Sequence, residues 1–441
     1  MSLLPSSVVR MLANLRERLT PDQAEERFGT KDGGAAYPAP LRPTRTVDAR
    51  TLARYWDRLR AEGVAPDEVR SALADEAGVA GIGAYASNIE SAIGIAKLPI
   101  GVVGPLRVNG LNAQGDYFVP LATTEAALVA SYARGAHALT ASGGVKAAVL
   151  YEGVLRSPAF VFSDVLQAGM FVEWVERHGD ALREAAEATT RHGKLVSIEP
   201  MINDEIVFLV NRFTTGDASG QNMVTIATHA MCTFIEARCP IKARHWFIEG
   251  NFSGDKKASF LGLMTGRGRK VTASAILPDE VVRKVLRVEP EMLLEYAKVA
   301  QLGALISGQL GAQGHYANGL AALYIATGQD AACVSESSVG FTRMDRRDDG
   351  IFMSVTLPNV LVGSVGGGTG LPTQSAALKL MGLHGAGHGA ALAEVVASVC
   401  LAGEVSIMAA IAAGHFSEAH RKLARARPSA PGASSPMEGS L

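Results

Sequence analysis

Charge is scarce in this sequence and almost balanced. Asp, Glu, Lys and Arg make up 19% of the 441 residues, and the formal net charge at pH 7 is −1. A chain this close to neutrality has no global field that would attract nucleic acid or an anionic membrane. Its length predicts about three domain-sized units. Its share of hydrophobic residues, 48%, is typical of a globular enzyme.

Cysteine is also scarce, and the common cysteine and histidine motifs of metal sites are absent. The four cysteines form no CxxC pair, which suits a reducing compartment with free thiols and no disulfides. No HExxH segment occurs, and His415 and His420 are five residues apart, well off a common helical face. We therefore predict no metal site.

The dinucleotide-binding pattern GxGxxG is absent as well. Relaxed matches at 81–86 and 385–390 end in alanine, and neither follows a convincing strand of a βαβ unit. A dinucleotide cofactor would therefore need a site of another kind.

Long hydrophobic runs are rare, and those present do not predict a membrane protein. Residues 1–20 lack the continuous apolar run of a secretory signal and predict a short amphipathic helix. The stretch 390–413 is long enough to cross a membrane, but Glu394 and Glu404 interrupt it, so we predict a buried core helix. From Pro428 onward the chain is poor in bulky residues, and we expect disorder.

What the chain does contain is a charged loop at 249–257. Gly, Asn and Ser favour a loop there, and Asp255 directly precedes Lys256 and Lys257. Adjacent ammonium groups repel each other, so a lysine pair inside a cleft is either neutralised by carboxylates or held for an anionic substrate. A solvated surface pair is the alternative that the dipeptide alone leaves open.

Hydrophobic periodicity predicts the elements that come before this loop. It predicts a helical region at 49–75 and a strand broken by turns or bulges at 98–106. A further helix is predicted to start at Thr123 or Thr124, with Glu125 in its first turn.

The stretch 158–244 predicts a strand, a helix and two strands, with a turn at 202–205 between the last two. Small polar residues at 214–223 then precede a helix that runs through Cys232. Free N–H groups at such a helix start suit a diphosphate, and a simple turn with a cap is the alternative.

Three features follow the charged loop. A long helix predicted at 289–309 carries Lys298 in an apolar neighbourhood. Asp330 ends an apolar run, where a cap or turn residue is common. The segment 357–370 joins a strand-like run to three consecutive glycines, which let a ligand or another backbone approach closely.

Five segments, in this order, resemble the signature segments of the 3-hydroxy-3-methylglutaryl-CoA reductase family. They are Pro120–Glu125, Gly250–Lys257, Gly328–Asp330, Gly363–Thr369 and Met408–His415, the last followed by His420. The likeness runs from about Tyr85 to Arg421 and is closer to the soluble catalytic portion of class I than to class II. It implies a soluble, bacterial, cytoplasmic form without the membrane domain of the eukaryotic enzymes.

The resemblance implies an α+β fold. A large, mainly helical domain for substrate and CoA (46–157 and 245–427) would be interrupted by a small ferredoxin-like cofactor-binding domain (158–244). An N-terminal helix and linker (1–45) and a disordered tail (428–441) would flank it. Because the family's site forms between subunits, the resemblance also implies a homodimer or a higher homo-oligomer, with no nucleic acid, membrane or metal as partner.

The implied reaction is the reduction of a CoA thioester to mevalonate by two hydride transfers from NADPH, through a hemithioacetal and an aldehyde. Lys256 matches the cation that stabilises the oxyanion at each hydride addition, and Asp330 matches the carboxylate that keeps this lysine charged. Glu125 matches the proton donor near the carbonyl oxygen. His420 matches the imidazole that protonates the departing CoA thiolate.

The resemblance also assigns binding residues. The site of the substrate carboxylate matches Arg156, Asp255, Lys257, Lys298, His315 and Asn318, and the CoA contacts match Ser131 and Arg134. The cofactor residues match Asp217, Ala218, Ser219, Gly220, Gln221, Asn222, Gly366, Gly367, Gly368 and Thr369. Arg191 matches an arginine near the adenosine 2′-phosphate, which favours NADPH over NADH.

Two acidic residues depart from the class I pattern. Glu249 stands in place of a serine, and Glu336 in place of a glycine. A carboxylate at Glu249 would repel the substrate carboxylate, so a reductase of another β-hydroxyacyl or carrier-bound thioester is one alternative. A non-catalytic CoA- or nucleotide-binding relative is a second, against which the presence of all four catalytic residue types counts.

Overall fold

The computed structural model describes residues 6–28, 42–63 and 66–414. The predictions made for His415, His420 and the tail 428–441 lie outside these residues.

Five α-helices precede the first strand, and helices and strands are mixed in the rest of the described chain. The α-helices are α1 (Ser6–Arg18), α2 (Pro21–Phe28), α3 (Ala49–Ala61), α4 (Asp67–Leu73), α5 (Glu76–Gly81), α6 (Leu128–Ala141), α7 (Val165–Arg177), α8 (Gly179–Glu187), α9 (Gln221–Arg238), α10 (Phe260–Thr265), α11 (Asp279–Val281), α12 (Pro290–Ser307), α13 (Tyr316–Thr327), α14 (Val334–Ser337), α15 (Pro372–Leu380) and α16 (Gly389–Ala412). The strands are β1 (Ile100–Asn109), β2 (Gln114–Ala122), β3 (Lys146–Arg156), β4 (Ala159–Val161), β5 (Lys194–Asn203), β6 (Ile206–Thr214), β7 (His245–Phe247), β8 (Gly268–Leu277), β9 (Gly311–Ala312), β10 (Gly340–Arg347) and β11 (Gly350–Val360).

The helices α3 to α5 form a small core of their own. Asp48 begins α3 by accepting a hydrogen bond from the Thr51 N–H at 2.7 Å, as N-cap residues do. Leu52 and Trp56 on one face of α3 pack with Ile82. The predicted helical region 49–75 is therefore confirmed as two helices, α3 and α4.

A nine-stranded sheet crosses the rest of the fold, and β1 and β2 form a separate antiparallel pair. The strands of the nine-stranded sheet follow the order β7-β4-β6-β3-β8-β11-β10-β9, and β5 pairs with β6 off this path. The neighbours are antiparallel, except for β9 and β10, which are parallel. The long strand β3 pairs with β8 through Gly153 and with β6 from Val154 onward. It therefore belongs to both halves of the sheet.

The half beyond β3 has the chain order β4, α7, α8, β5, β6, α9 and β7. Its strands lie side by side as β7-β4-β6-β5, all antiparallel. The strand, helix and two strands predicted from 158 onward are confirmed, with the turn between β5 and β6 at Asp204, whose φ is 57°. The edge strand β7 ends at Phe247, just beyond the expected boundary at residue 244.

The most apolar stretch forms a buried core helix, as we predicted from the two glutamates that interrupt it. Among the described residues, Gly389–Ala412 (α16) is long and apolar enough to cross a membrane, but 83% of its most apolar window is buried inside the fold. It packs against α6, α12, α13 and the sheet. Glu394 and Glu404 are both 0% exposed, and each is held by hydrogen-bond donors.

The donors to these two carboxylates are mostly backbone N–H groups. Glu394 accepts the N–H groups of Asn112 and Ala113, both at 2.8 Å. Glu404 accepts the N–H groups of Gly314 and His315, both at 2.8 Å, and the Thr342 hydroxyl at 2.7 Å. A buried carboxylate needs such partners. The helix is therefore tied to the chain at two distant points.

The helix predicted to start at Thr123 or Thr124 begins later. Ala127 has the left-handed φ of 69°, and α6 begins only at Leu128. The Thr123 hydroxyl accepts the Glu125 N–H at 3.0 Å, so it stabilises a turn. The prediction was wrong because threonine forms the same hydrogen bond in a turn and in a helix cap. Glu125 consequently lies in this turn and is exposed.

All four cysteines, Cys232, Cys239, Cys333 and Cys400, are buried and unpaired. Burial raises the pKa of Cys232 to about 12. Thiols in such surroundings are poor nucleophiles.

Candidate active site

The structure brings Lys256 and Asp330 into contact. The Lys256 Nζ lies 2.9 Å from the Asp330 Oδ2, and the two side chains are 44% and 40% exposed. The hydrogen bond to Asp330 raises the pKa of Lys256 above its ordinary value. This contact supplies a fixed positive charge that solvent and a ligand can still reach.

Behind this pair lies a group of charged side chains that we name the charged cluster: Arg156, Glu249, Asp255, Arg267 and Glu336. Arg156 forms ion pairs with Glu249 at 3.1 Å and Asp255 at 3.2 Å. Arg267 forms ion pairs with Asp255 at 2.9 Å and Glu336 at 2.6 Å. The two arginines are almost fully buried, which is sustainable only because each meets two carboxylates.

The two carboxylates that depart from the family pattern lie in this cluster. Glu336 is 1% exposed, and both of its oxygens accept hydrogen bonds from the Arg267 Nη1, at 2.7 and 2.6 Å. Burial raises the pKa of Glu336, and the neighbouring Arg267 opposes this shift. Its carboxylate is therefore paired inside the fold. Glu249 likewise forms an ion pair with Arg156, and it accepts a hydrogen bond from the Ser253 hydroxyl at 2.9 Å.

Sequence reasoning missed Arg267. It lies 69 residues before Glu336 in the chain. Its own segment, Thr265-Gly-Arg-Gly-Arg269, carries no pattern that distinguishes a buried arginine from an exposed one.

A cavity of about 700 Å³ opens beside Asp330. Two glycine-containing turns line it, and the residues expected to bind a cofactor there are Ala218, Ser219, Gly220, Gln221, Asn222, Gly366, Gly367, Gly368 and Thr369. The Gln221 amide donates to the Cys333 Sγ at 2.9 Å and lies 3.5 Å from the Asp330 Oδ2. The cavity and the Lys256–Asp330 pair therefore meet at Asp330.

Asp217 supports this cavity from behind. Its carboxylate accepts the N–H groups of Gly387 at 2.7 Å and Gly389 at 2.9 Å, where α16 begins. Burial opposes the charged form, but these two hydrogen bonds and the nearby Arg269 lower the pKa of Asp217 overall. Asp217 thus fixes the position of the turn that follows it.

A second group of expected binding residues lies along α16. The Arg134 Nη2 donates to the Ser406 carbonyl at 2.6 Å, and the hydroxyls of Ser131 and Ser406 are 3.0 Å apart. His315 is fixed at the start of α13, where its N–H donates to Glu404, and the Asn318 amide lies 3.5 Å from its Nδ1. Burial, with a smaller effect of Arg287, lowers the pKa of Arg134.

Comparisons with known proteins identify the chain's relatives. Residues 66–425 match the family model described as hydroxymethylglutaryl-coenzyme A reductase. The chain belongs to this family. The 3-hydroxy-3-methylglutaryl-coenzyme A reductase of Aeropyrum pernix is 44% identical over 347 residues, which cover 77% of this chain and 82% of the relative. The enzyme of the same name from Methanothermobacter thermautotrophicus is 44% identical over 340 residues, which cover 77% and 85%.

Solved structures agree on the fold. The class II 3-hydroxy-3-methylglutaryl-CoA reductase of Streptococcus pneumoniae, bound to NADPH in open conformations, superposes with a TM-score of 0.61. It is 20% identical, and the match covers 81% of this chain and 96% of that one. This member of the hydroxymethylglutaryl-CoA reductase family is therefore an oxidoreductase with a mixed helix and sheet fold. Its assignment to class I stays a prediction.

Not all of the site residues expected for a hydroxymethylglutaryl-CoA reductase meet within one chain. The Glu125 side chain makes no hydrogen bond or ion pair with any described residue, and Lys298 pairs with Glu295 on its own helix at 3.1 Å. Lys257 is exposed, and its Nζ donates to the Asp255 carbonyl at 2.8 Å. Arg191 lies exposed in the turn between α8 and β5. His420 lies outside the described residues.

Proposed function

We propose that this chain reduces 3-hydroxy-3-methylglutaryl-CoA to mevalonate and CoA with NADPH as the reductant. The observation that carries this proposal is the Lys256–Asp330 ion pair at the edge of a 700 Å³ cavity, in a member of a reductase family. A thioester carbonyl becomes an oxyanion when hydride adds to it, and a fixed ammonium group stabilises that charge.

The cavity has the properties that a dinucleotide requires. Its volume falls within the range of about 300 to 1,000 Å³ that is usual for cofactor sites. The helix α9 begins at Gln221 without a side-chain cap and without an acidic residue in its first turn, so its free N–H groups suit a diphosphate. Gly328 and Gly368 form part of the cavity wall. A Cβ on Gly328 would lie 2.3 Å from the Gly368 oxygen, so the two backbone segments can approach this closely only because residue 328 is glycine.

In the proposed mechanism the bound cofactor supplies hydride, and the chain's own groups manage charge and protons. Lys256 stays protonated because Asp330 raises its pKa, and it faces the oxyanion in each reduction. Glu125 is the proposed proton donor to the carbonyl oxygen, and His420 the proposed donor to the CoA thiolate. Ser131 and Arg134 are the proposed CoA contacts, and His315 and Asn318 the proposed neighbours of the acyl group.

We also propose that the site is completed by a second copy of the chain. Neither Lys298 nor Glu125 is bonded to the charged cluster within the described part of one chain. A homodimer, or a higher homo-oligomer, would bring such residues to the site of a neighbouring subunit. A cytoplasmic location is part of this proposal.

The antiparallel unit from β4 to β7 is the proposed ferredoxin-like cofactor domain. Its chain order and its strand order β7-β4-β6-β5 are those of two interleaved βαβ units, which supports the name. The proposed large domain comprises 46–157 and 245–427, with 1–45 before it and the tail 428–441 after it. Arg191 lies in the small unit and is the proposed partner of the adenosine 2′-phosphate.

The test is a stoichiometric assay with the purified full chain. NADPH oxidation is followed by absorbance, CoA release with a thiol reagent, and the product by mass spectrometry. We expect two NADPH consumed per CoA released, with mevalonate as product. We expect Lys256→Ala to abolish turnover and the exposed Lys379→Ala to retain it. The proposal would be refuted if no mevalonate is formed, or if Lys256→Ala and wild type have equal turnover. Equal turnover in the two proteins, with both ligands still bound, would favour a non-catalytic relative.

One observation favours a second candidate function, the reduction of another β-hydroxyacyl or carrier-bound thioester. Glu249 already neutralises Arg156, so the substrate carboxylate meets an arginine that is already paired. A panel of acyl-CoA and carrier-bound thioesters distinguishes the two functions, with Glu249→Ser as the matched variant. If Glu249 limits binding of the carboxylate, this variant lowers the KM for hydroxymethylglutaryl-CoA and leaves uncharged acyl groups unaffected. A higher kcat/KM for an uncharged thioester in wild type would establish the second function.

A further inference from the structure

The backbone of Lys256 adopts an unusual conformation. Its φ is 58°, in the left-handed region that residues with a Cβ rarely adopt. Such a conformation persists when the surrounding structure holds it in place. The contacts made by its N–H and C=O groups therefore identify what holds it.

Both backbone groups of Lys256 bond to side chains of one segment. The Lys256 N–H donates to the Glu336 Oε1 at 3.3 Å, and the Ser335 hydroxyl donates to the Lys256 carbonyl at 2.6 Å. The same segment provides Asp330, whose Oδ2 meets the Lys256 Nζ at 2.9 Å. Residues 330–336 thus contact this lysine at its amide, its carbonyl and its ammonium group.

The segment is itself fixed. The Asp330 Oδ1 accepts the Ala332 N–H at 3.0 Å, which begins the short helical turn that leads to Ser335. Glu336 is bonded to the buried Arg267, and its carbonyl accepts the Asn359 amide at 3.1 Å. A lysine side chain has four rotatable bonds, so a charge at a defined position requires a defined backbone.

We propose that residues 330–336 form a three-point clamp on Lys256, in which Ser335 and Glu336 are positioning residues for the reaction. They touch neither substrate nor cofactor in this role. They keep the Lys256 backbone left-handed, and this directs its ammonium group to Asp330 at the cavity edge. The kinetic consequences rest on the proposed function, but the geometry of the clamp does not.

The variant Ser335→Ala tests the clamp with little risk to folding, because Ser335 is exposed. Since a misplaced cation weakens stabilisation of the transition state and spares ligand binding, we expect kcat to fall about 10-fold with both KM values within about two-fold of wild type. Ser335→Thr keeps the hydroxyl and should restore kcat. Ser142→Ala removes a hydroxyl that donates to the Ala138 carbonyl elsewhere, and it should behave as wild type.

A second readout does not depend on turnover. Acetic anhydride labels neutral amines, and mass spectrometry reports the labelling of Lys256 relative to the exposed Lys379 in the same sample. Contact with Asp330 raises the pKa of Lys256, so loss of this contact leaves more neutral amine. We expect labelling of Lys256 to rise at least about three-fold in Ser335→Ala and in Glu336→Gln.

The outcomes separate the clamp from the proposed function. Unchanged Lys256 labelling in Ser335→Ala overturns the clamp, whatever the activity. Raised labelling with a wild-type kcat also overturns it, because position would then not matter for the reaction. If the wild-type chain reduces no thioester, the proposed function fails. The labelling of Lys256 in Ser335→Ala then determines by itself whether the clamp exists. If Glu336→Gln does not fold, Ser335→Ala gives the result.

Discussion

Replacing Glu404 by glutamine should destabilise the fold strongly, although the two side chains have nearly the same shape. The Glu404 carboxylate is 0% exposed and accepts three donors, from Gly314, His315 and Thr342, at 2.7 to 2.8 Å. In Glu404→Gln an NH₂ group replaces one acceptor oxygen. At either position it faces a backbone N–H group, which then has no acceptor inside the core.

The magnitude follows from these bonds. A buried N–H group left without an acceptor costs about 1 to 3 kcal/mol, and each remaining bond loses about 1 kcal/mol when its acceptor loses its charge. An amide is easier to bury than a carboxylate, which offsets part of this cost. We therefore expect the free energy of unfolding to fall by about 3 kcal/mol.

Urea unfolding followed by circular dichroism measures this change. The matched control is Glu280→Gln, because Glu280 is 70% exposed and, among the described residues, pairs only with Lys284 one turn away. We expect a change below about 0.5 kcal/mol for this control. A decrease below about 1 kcal/mol in Glu404→Gln would refute the reasoning that the charged acceptor holds Gly314 and His315. A raised KM for the thioester should accompany the loss of stability, since His315 begins α13 at the proposed acyl site.

Three further predictions concern the charged residues of the site. Asp330→Asn should lower the pKa of Lys256 and shift the alkaline decline of kcat to lower pH. In wild type the stabilisation from this ion pair is complete below the ordinary lysine pKa of 10.5 and is lost as pH rises through the raised pKa of Lys256. An unchanged pH profile of kcat would contradict the pairing. Arg267→Met leaves Glu336 buried without its cation and should lower the free energy of unfolding by about 3 to 5 kcal/mol in urea titrations, whereas a neutral effect would mean that the pair is replaceable. Arg134→Ala should raise the KM for the CoA thioester about 10-fold without changing the KM for NADPH, and a change in both would place the defect in folding.

The residues themselves show what could be predicted from sequence. Lys256 and Asp330 are far apart in the chain, and only the family resemblance predicted that they meet. The partners of Glu404 could not be predicted, because two of them are backbone N–H groups that any residue provides. The turn at Thr123 was misread as a helix start because the left-handed Ala127 has no signal of its own.

The charged cluster was the least predictable part of the site. Glu336 and Arg267 pair across 69 residues, and neither segment has a pattern that indicates burial. From the sequence alone, Glu336 was an acidic residue that departs from the family pattern. The structure shows that it is the buried ion-pair partner of Arg267. Local patterns predict elements, and long-range ion pairs depend on how those elements pack.

The shared strand β3 and the turn at Asp217 connect the β4 to β7 unit to the rest of the fold. The ladder of β3 passes from β8 at Gly153 to β6 at Val154 without interruption. Because the residues of β3 that pair with β8 and those that pair with β6 do not overlap, a rotation of the β4 to β7 unit against the rest could bend β3 at this junction without breaking either ladder. Such a rotation would instead break the hydrogen bonds that Asp217 accepts from the N–H groups of Gly387, Gly389 and Ser364. The turn at Asp217, rather than the sheet, therefore restrains movement of this unit around ligands.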